Sequence, residues 1–109
     1  MEVSAELLVS AELLTSVKDH LDITWEDENT NKKLTGIIKR GMNYLDGAAG
    51  GAQDYEAENN ARSLLLEYCR YVRSNAFELF QTNFLHELLT LQINEEMARY
   101  EAENTVTNL

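Results

Sequence analysis

The chain has 109 residues, 44% hydrophobic and 26% charged, with a formal net charge of −10. That length gives one domain with a real core, and the composition excludes an intrinsically disordered chain. The acidity argues against direct nucleic-acid binding, which needs Lys and Arg to neutralise phosphates, and a single cysteine excludes an internal disulfide.

The distribution of charge matters more than its sum. Residues 1–31 hold eight acids and one base, residues 32–73 five acids and seven bases, and residues 74–109 six acids and one base. The ends are acidic and the middle is weakly basic. Cys69 is expected as a small buried hydrophobe, in keeping with a reducing, cytosolic place of synthesis. No signal peptide is recognised, and no apolar run nears the ~18 residues of a membrane span.

Residues 4–8 and 10–14 repeat Ser-Ala-Glu-Leu-Leu. The spacing is neither helical nor heptad, so it reads as a local duplication. Residues 1–9 either continue the first helix or form a separate arm. The first helix is expected over residues 10–21, with Ser10 as N-cap and Leu13, Leu14, Val17 and Leu21 inward. A polar connection follows, and its Trp25 is expected to plug the edge of the core. Asp27, Asn29 and Asn31 copy the first ligand positions of a calcium loop. The match fails at Lys32, where the turn needs Gly, and at Ile38, where calcium needs Glu. The cluster reads instead as a helix start.

The second helix is expected over residues 31–46, with Leu34, Ile37, Ile38, Met42 and Leu45 on its apolar face. Lys32, Lys33, Lys39 and Arg40 form a basic face, which is either simply solvated or meets an acidic neighbour. Gly36 and Gly41 lie inside the helix, and Gly47 is expected as its C-terminal cap. The run from Gly47 to Ala52 is expected as a loop. It has neither a preceding strand nor the Gly-Lys-Ser/Thr of a phosphate-binding loop.

Residues 57–74 are expected to form the helix on which the rest packs. Ala61, Leu64, Leu65, Tyr68 and Val72 share one face; Leu66, Cys69 and Tyr71 widen it. Only Glu67, Arg70 and Arg73 mark a solvent stripe. An apolar face wider than the usual ~100° calls for cover on two or three sides.

Residues 75–82 break this periodicity. They are a loop anchored by Phe77, Leu79 and Phe80, a short strand, or the start of the next helix. The last helix is expected over residues 83–100, with Leu85, Leu88, Leu89, Ile93 and Met97 on one stripe and Phe84 and Leu91 beside it. Residues 101–109 read as a frayed tail. The fold class is therefore all-α, a small bundle of about four helices around residues 57–74.

No nucleophile, base and orienting group assemble in the sequence, so no enzyme activity is expected. His86-Glu opens like a zinc-protease helix, but Thr90 stands where the second His is required. No cofactor and no metal are expected.

The layout resembles the small head–tail connector, or head-completion adaptor, proteins of long-tailed bacteriophages. The resemblance rests on a first helix ending in His20-Leu-Asp-Ile-Thr, an acidic pair at Asp27-Glu28 and a second helix ending in Tyr44-Leu-Asp-Gly47. It rests also on an apolar third helix whose tyrosines close on Arg, from Tyr68 to Arg73, and it covers residues 10–75. It implies a virion structural protein and a homo-oligomeric ring below the portal, with DNA passing through the lumen without sequence-specific binding. The implied partners are the portal protein and a tail-side completion protein, with no membrane and no enzyme activity. The portal contact would fall from about Asn94 onward. The candidate subunit and partner contacts are Trp25, Lys39, Arg40, Phe77, Phe80, Met97 and Tyr100. A basic middle and acidic ends suit head-to-tail pairing. A different class also fits the composition: a small acidic helical regulator that binds a basic host or phage protein.

Overall fold

The computed structural model describes residues 9–107. They form five α-helices and no strand: α1 (Ala11–His20), α2 (Glu28–Ala49), α3 (Asn60–Arg73), α4 (Phe77–Asn83) and α5 (Leu85–Thr107). The expected all-α bundle is present, with one helix more than expected. α3 packs against each of the other four helices, as the width of its apolar face requires.

Each of the first three helices starts at a side-chain cap. Ser10 accepts from the Leu13 N–H at 3.0 Å. The Asp27 carboxylate accepts from the Thr30 N–H at 2.9 Å and from its hydroxyl at 2.8 Å. Asn59 accepts from the Arg62 N–H at 2.9 Å. Capping satisfies donors that the first turn leaves orphaned. It also accounts for the failed calcium motif, because Asp27 is spent on starting α2. The bonds to Thr30 hold its carboxyl below the usual carboxylate range.

Four boundaries differ from expectation by three residues or more, the first being the start of α2 at Glu28, where residue 31 was expected. α2 runs past Gly47 to Ala49, and Gly50 takes the left-handed cap at φ +85°, its N–H bonded to the Asp46 carbonyl. Ala48 and Ala49 are strong helix formers, and Ala49 is fully buried, so packing carries the helix one turn further. α3 starts at Asn60, because residues 54–59 form a folded loop. The Asp54 carboxylate accepts from the Glu56 N–H, and the buried Tyr55 hydroxyl donates to Asp46 Oδ1 at 2.7 Å. α5 reaches Thr107, where a frayed tail was expected from residue 101. Of residues 1–9, left open between a separate arm and an extension of the first helix, only Val9 lies within the described residues, and it packs against the core.

The core joins Leu13 and Val17 of α1, Leu34, Ile38, Met42 and Leu45 of α2, and Leu64, Leu65 and Cys69 of α3. Burial pushes the Cys69 thiol up to about 12, so it behaves as a hydrophobe. The stretch left open at residues 75–82 is mostly helical. α4 is seated by aromatic rings: Phe80 lies 5.8 Å from Tyr68, 5.9 Å from Tyr71 and 5.1 Å from Phe84.

Arg62 is a buried cation that apolar periodicity gives no sign of. Its guanidinium donates to the Tyr55 carbonyl at 2.9 Å and to Ser16 Oγ at 2.6 Å, tying the 54–59 loop and α1 to α3.

The two interior glycines of α2 near its second half sit in opposite surroundings. A Cβ on Gly41 would stand 2.7 Å from both Leu65 Cδ1 and Tyr68 Cδ1, whereas one on Gly47 meets nothing within 4 Å. Gly41→Ala should destabilise the protein by about 1–3 kcal/mol through overpacking. Gly47→Ala should stabilise it by up to about 1 kcal/mol through helix propensity. Chemical denaturation of the two variants checks the opposed signs.

Candidate interaction surfaces

The last helix carries two apolar seams. Phe84, Leu88 and Leu91 face the bundle, with Leu88 and Leu91 buried. Glu95 continues that seam: its carboxylate accepts from Gln53 Nε2 at 3.0 Å and lies against Gly51, where a Cβ would collide with it. Arg99 then donates to the Gly50 carbonyl at 3.1 Å. These bonds fix the rotation of α5 about its own axis.

The second seam is Leu85, Leu89, Ile93, Met97 and Tyr100. It lies roughly 150° around the helix from the first. Every one of its side chains is 47–64% exposed. The expected stripe of the last helix therefore holds as a stripe but faces outward; of its members only Leu88 turns in. The reason is tethering at Glu95 and Arg99 together with the aromatic seat at Phe84. Scattered exposed leucines are ordinary, but five large apolar groups in one line are not. Glu96 and Glu101 flank Met97 and Tyr100 along a shallow depression.

A second surface lies where the first half of α2 meets the end of α3. Thr30, Lys33, Leu34, Ile37, Val72 and Arg73 line a groove of about 460 Å³. It continues past Val72 to a smaller hollow lined by Asn75, Phe77 and Glu78. Ile37 and Val72 are its partly buried apolar members, Leu34 beneath them is 1% exposed, and Lys33 and Arg73 make the rim basic. Arg40 adds positive charge on the same side of α2, whereas Lys32 and Lys39 fall on the opposite side of the helix. The ion pairs Lys18–Glu26, Arg62–Glu58 and Arg70–Glu67 lie away from this groove.

The seven expected contact residues divide cleanly. Met97 and Tyr100 belong to the outer seam of α5. Phe77 lines the smaller hollow, half-buried and edge-on to Tyr44 at 5.2 Å; Arg40 shares the Lys33 side of α2, and Lys39 falls on the other side of that helix, away from the groove. Trp25 is not the plug expected of it, being 50% exposed in the connection between α1 and α2, because Ile23 takes the buried position there. Phe80 corrects the expectation of a contact: it is fully buried within the bundle's own aromatic cluster. The sequence reading missed Lys33, Val72 and Arg73 as one surface, since nothing local joins α2 to the end of α3.

Among the described residues no group of three or more His, Cys, Asp or Glu side chains converges as a metal site would. His20 is paired with Glu67 at 2.8 Å. No helix among the described residues is long and apolar enough to cross a membrane. No protein-family model, curated protein or solved structure matches the chain.

The two seams of α5 make opposite demands on substitution. Ile93→Lys, on the outer seam, should change folding stability by no more than about 0.5 kcal/mol. Leu91→Ala, on the inner seam, should cost about 2–4 kcal/mol. Thermal or denaturant unfolding of both variants measures the contrast.

Proposed function

We propose that this protein is an assembly subunit of a phage virion, a head–tail connector that forms a ring below the portal. The observation that carries the reading is the outer seam of α5, a line of large apolar side chains left in solvent. A chain with no use for such a line would be expected to bury it or break it with charge. The order of helices supports the resemblance to connector proteins. The separate basic groove gives the subunit two unlike surfaces, as a closed cyclic ring needs. Ion pairs between exposed groups contribute at most about 1 kcal/mol each. Apolar contact would therefore supply most of the affinity.

A net charge of −10 bears on both assembly and passage of DNA. Self-repulsion opposes spontaneous oligomerisation of the free chain, so assembly would be templated. An acidic lumen wall would let DNA slide past without sticking. In this reading the portal contact falls to the end of α5, which continues beyond Tyr100 to Thr107.

The test is mass by light scattering, for the chain alone and with the portal ring encoded nearest to it. The expected outcome is a monomeric or weakly associating free chain that joins the portal in many copies. A chain that ignores the portal and instead forms a tight one-to-one complex with a basic host protein would replace this reading with that of an acidic regulator.

A further inference from the structure

The outer seam of α5 changes character along its length. Leu85 and Leu89, in its first half, are bordered by His86, Thr90 and Gln92. Its second half is bordered by acids. Counted round the helix from Leu85, Tyr100 stands at about 60° and Met97 at about 120°, with Glu96 at about 20° and Glu101 at about 160°. The two acids therefore straddle the two apolar groups, and all four line one depression. Residues 85–107 hold five Glu and one Arg, and that Arg99 donates to the Gly50 carbonyl on the inner side of the helix.

We infer that the outer seam of α5 docks a basic amphipathic helix of another protein. The apolar row of that helix covers Leu89, Ile93, Met97 and Tyr100, and Lys or Arg at one of its ends meets Glu96 and Glu101. The inference rests on the assembly reading above, in which a partner covers the seam, and names that partner's chemistry.

Three observations select this occupant. The first is charge. Acids on both flanks of the apolar pair oppose the phosphates of a nucleic acid or an anionic lipid surface and attract Lys and Arg. The second is shape. From Leu85 to Tyr100 the seam spans roughly 22 Å at 1.5 Å per residue. Such a row matches the apolar face of a helix of about four turns, a recurrent mode of recognition.

The third is what a second copy of this chain lacks. Outside α5 the exposed large apolar groups are Trp25 and Leu79, each single and next to an acid, Glu26 or Glu78. The α2–α3 groove has a basic rim, but on α2 it reaches only from Thr30 to Ile37, roughly 10 Å. Two seams packed in parallel would bring Glu96 and Glu101 of both copies together, and like charges facing each other oppose association. Packed antiparallel about Ile93, those acids would face Thr90 and Leu85, which carry no charge to meet them.

Fluorescence anisotropy of a labelled peptide, titrated with the full chain, tests the surface. The probe is a synthetic helical peptide of about 18 residues with a row of Leu and with Lys on both flanks at one end. A comparison peptide carries Gln in place of each Lys. Two variants of the chain make the same change of charge on different faces of α5. Glu96→Lys borders the seam, and Glu87→Lys stands about 180° round the helix from it; both residues are exposed.

The Lys peptide should bind the native chain and Glu87→Lys within about threefold of each other, and Glu96→Lys roughly tenfold more weakly than native. The Gln peptide should bind the native chain more weakly than the Lys peptide, and salt should shrink that difference.

Three results overturn the inference. One is an equal loss in Glu87→Lys and Glu96→Lys, which would mean general attraction to an acidic chain. Another is a Gln peptide that binds as tightly as the Lys peptide, which would make the seam a plain apolar surface. The third is no binding of the Lys peptide; uptake of the chain by phosphatidylcholine vesicles would then assign the seam to lipid. Portal joining is scored separately, by mass. A chain that joins the portal in many copies and gives any of these three results keeps the connector reading and loses this partner chemistry. A chain that separates the peptides and variants as expected but ignores the portal keeps the partner chemistry and loses the connector reading.

Discussion

The close approach of α2 to α3 at Gly41 is the constraint on which the remaining packing depends. With no side chain at that position, Leu65 and Tyr68 lie directly against the α2 backbone. The Tyr68 ring is then placed 5.8 Å from Tyr44 and 5.8 Å from Phe80. Phe80 seats α4, and Phe84 beside it leads into α5. A glycine that costs helix propensity thus sets the depth at which the aromatic cluster forms. That cluster in turn fixes where the last helix begins.

From there the rotation of α5 is decided by polar bonds more than by its apolar pattern. Glu95 with Gln53, and Arg99 with the Gly50 carbonyl, hold one seam inward. The richer seam, from Leu85 to Tyr100, is left outside. Local amphipathicity alone would have turned it in, since apolar area drives burial. The fold thus holds a line of large apolar groups in water, which the proposed assembly role would cover.

Much of the architecture is legible in the sequence. The central helix stands out because Ala61, Leu64, Leu65 and Tyr68 repeat at helical spacing with Cys69 beside them, and all five are buried. Ser10 and Asp27 mark helix starts through their own chemistry. The misreadings have specific causes. Gly47 looked like a stop, but Ala48 and Ala49 continue the helix and Gly50 serves instead. Residues 57–59 looked like the start of the central helix, but they belong to a loop that the Tyr55 hydroxyl bond to Asp46 folds back. The stripe of α5 was legible as a stripe, but not its direction, which rests on Gln53 and Gly50, more than forty residues away. The groove was illegible for the same reason, because Lys33 and Arg73 meet only through tertiary packing.

The central claim is that the outer seam of α5, exposed in the free chain, serves assembly. Sedimentation velocity of the full chain mixed with the portal ring, native and Ile93→Lys, tests it most directly. The account predicts that many native copies join each portal and that the folded Ile93→Lys variant joins far less. Undiminished joining by the variant would contradict it.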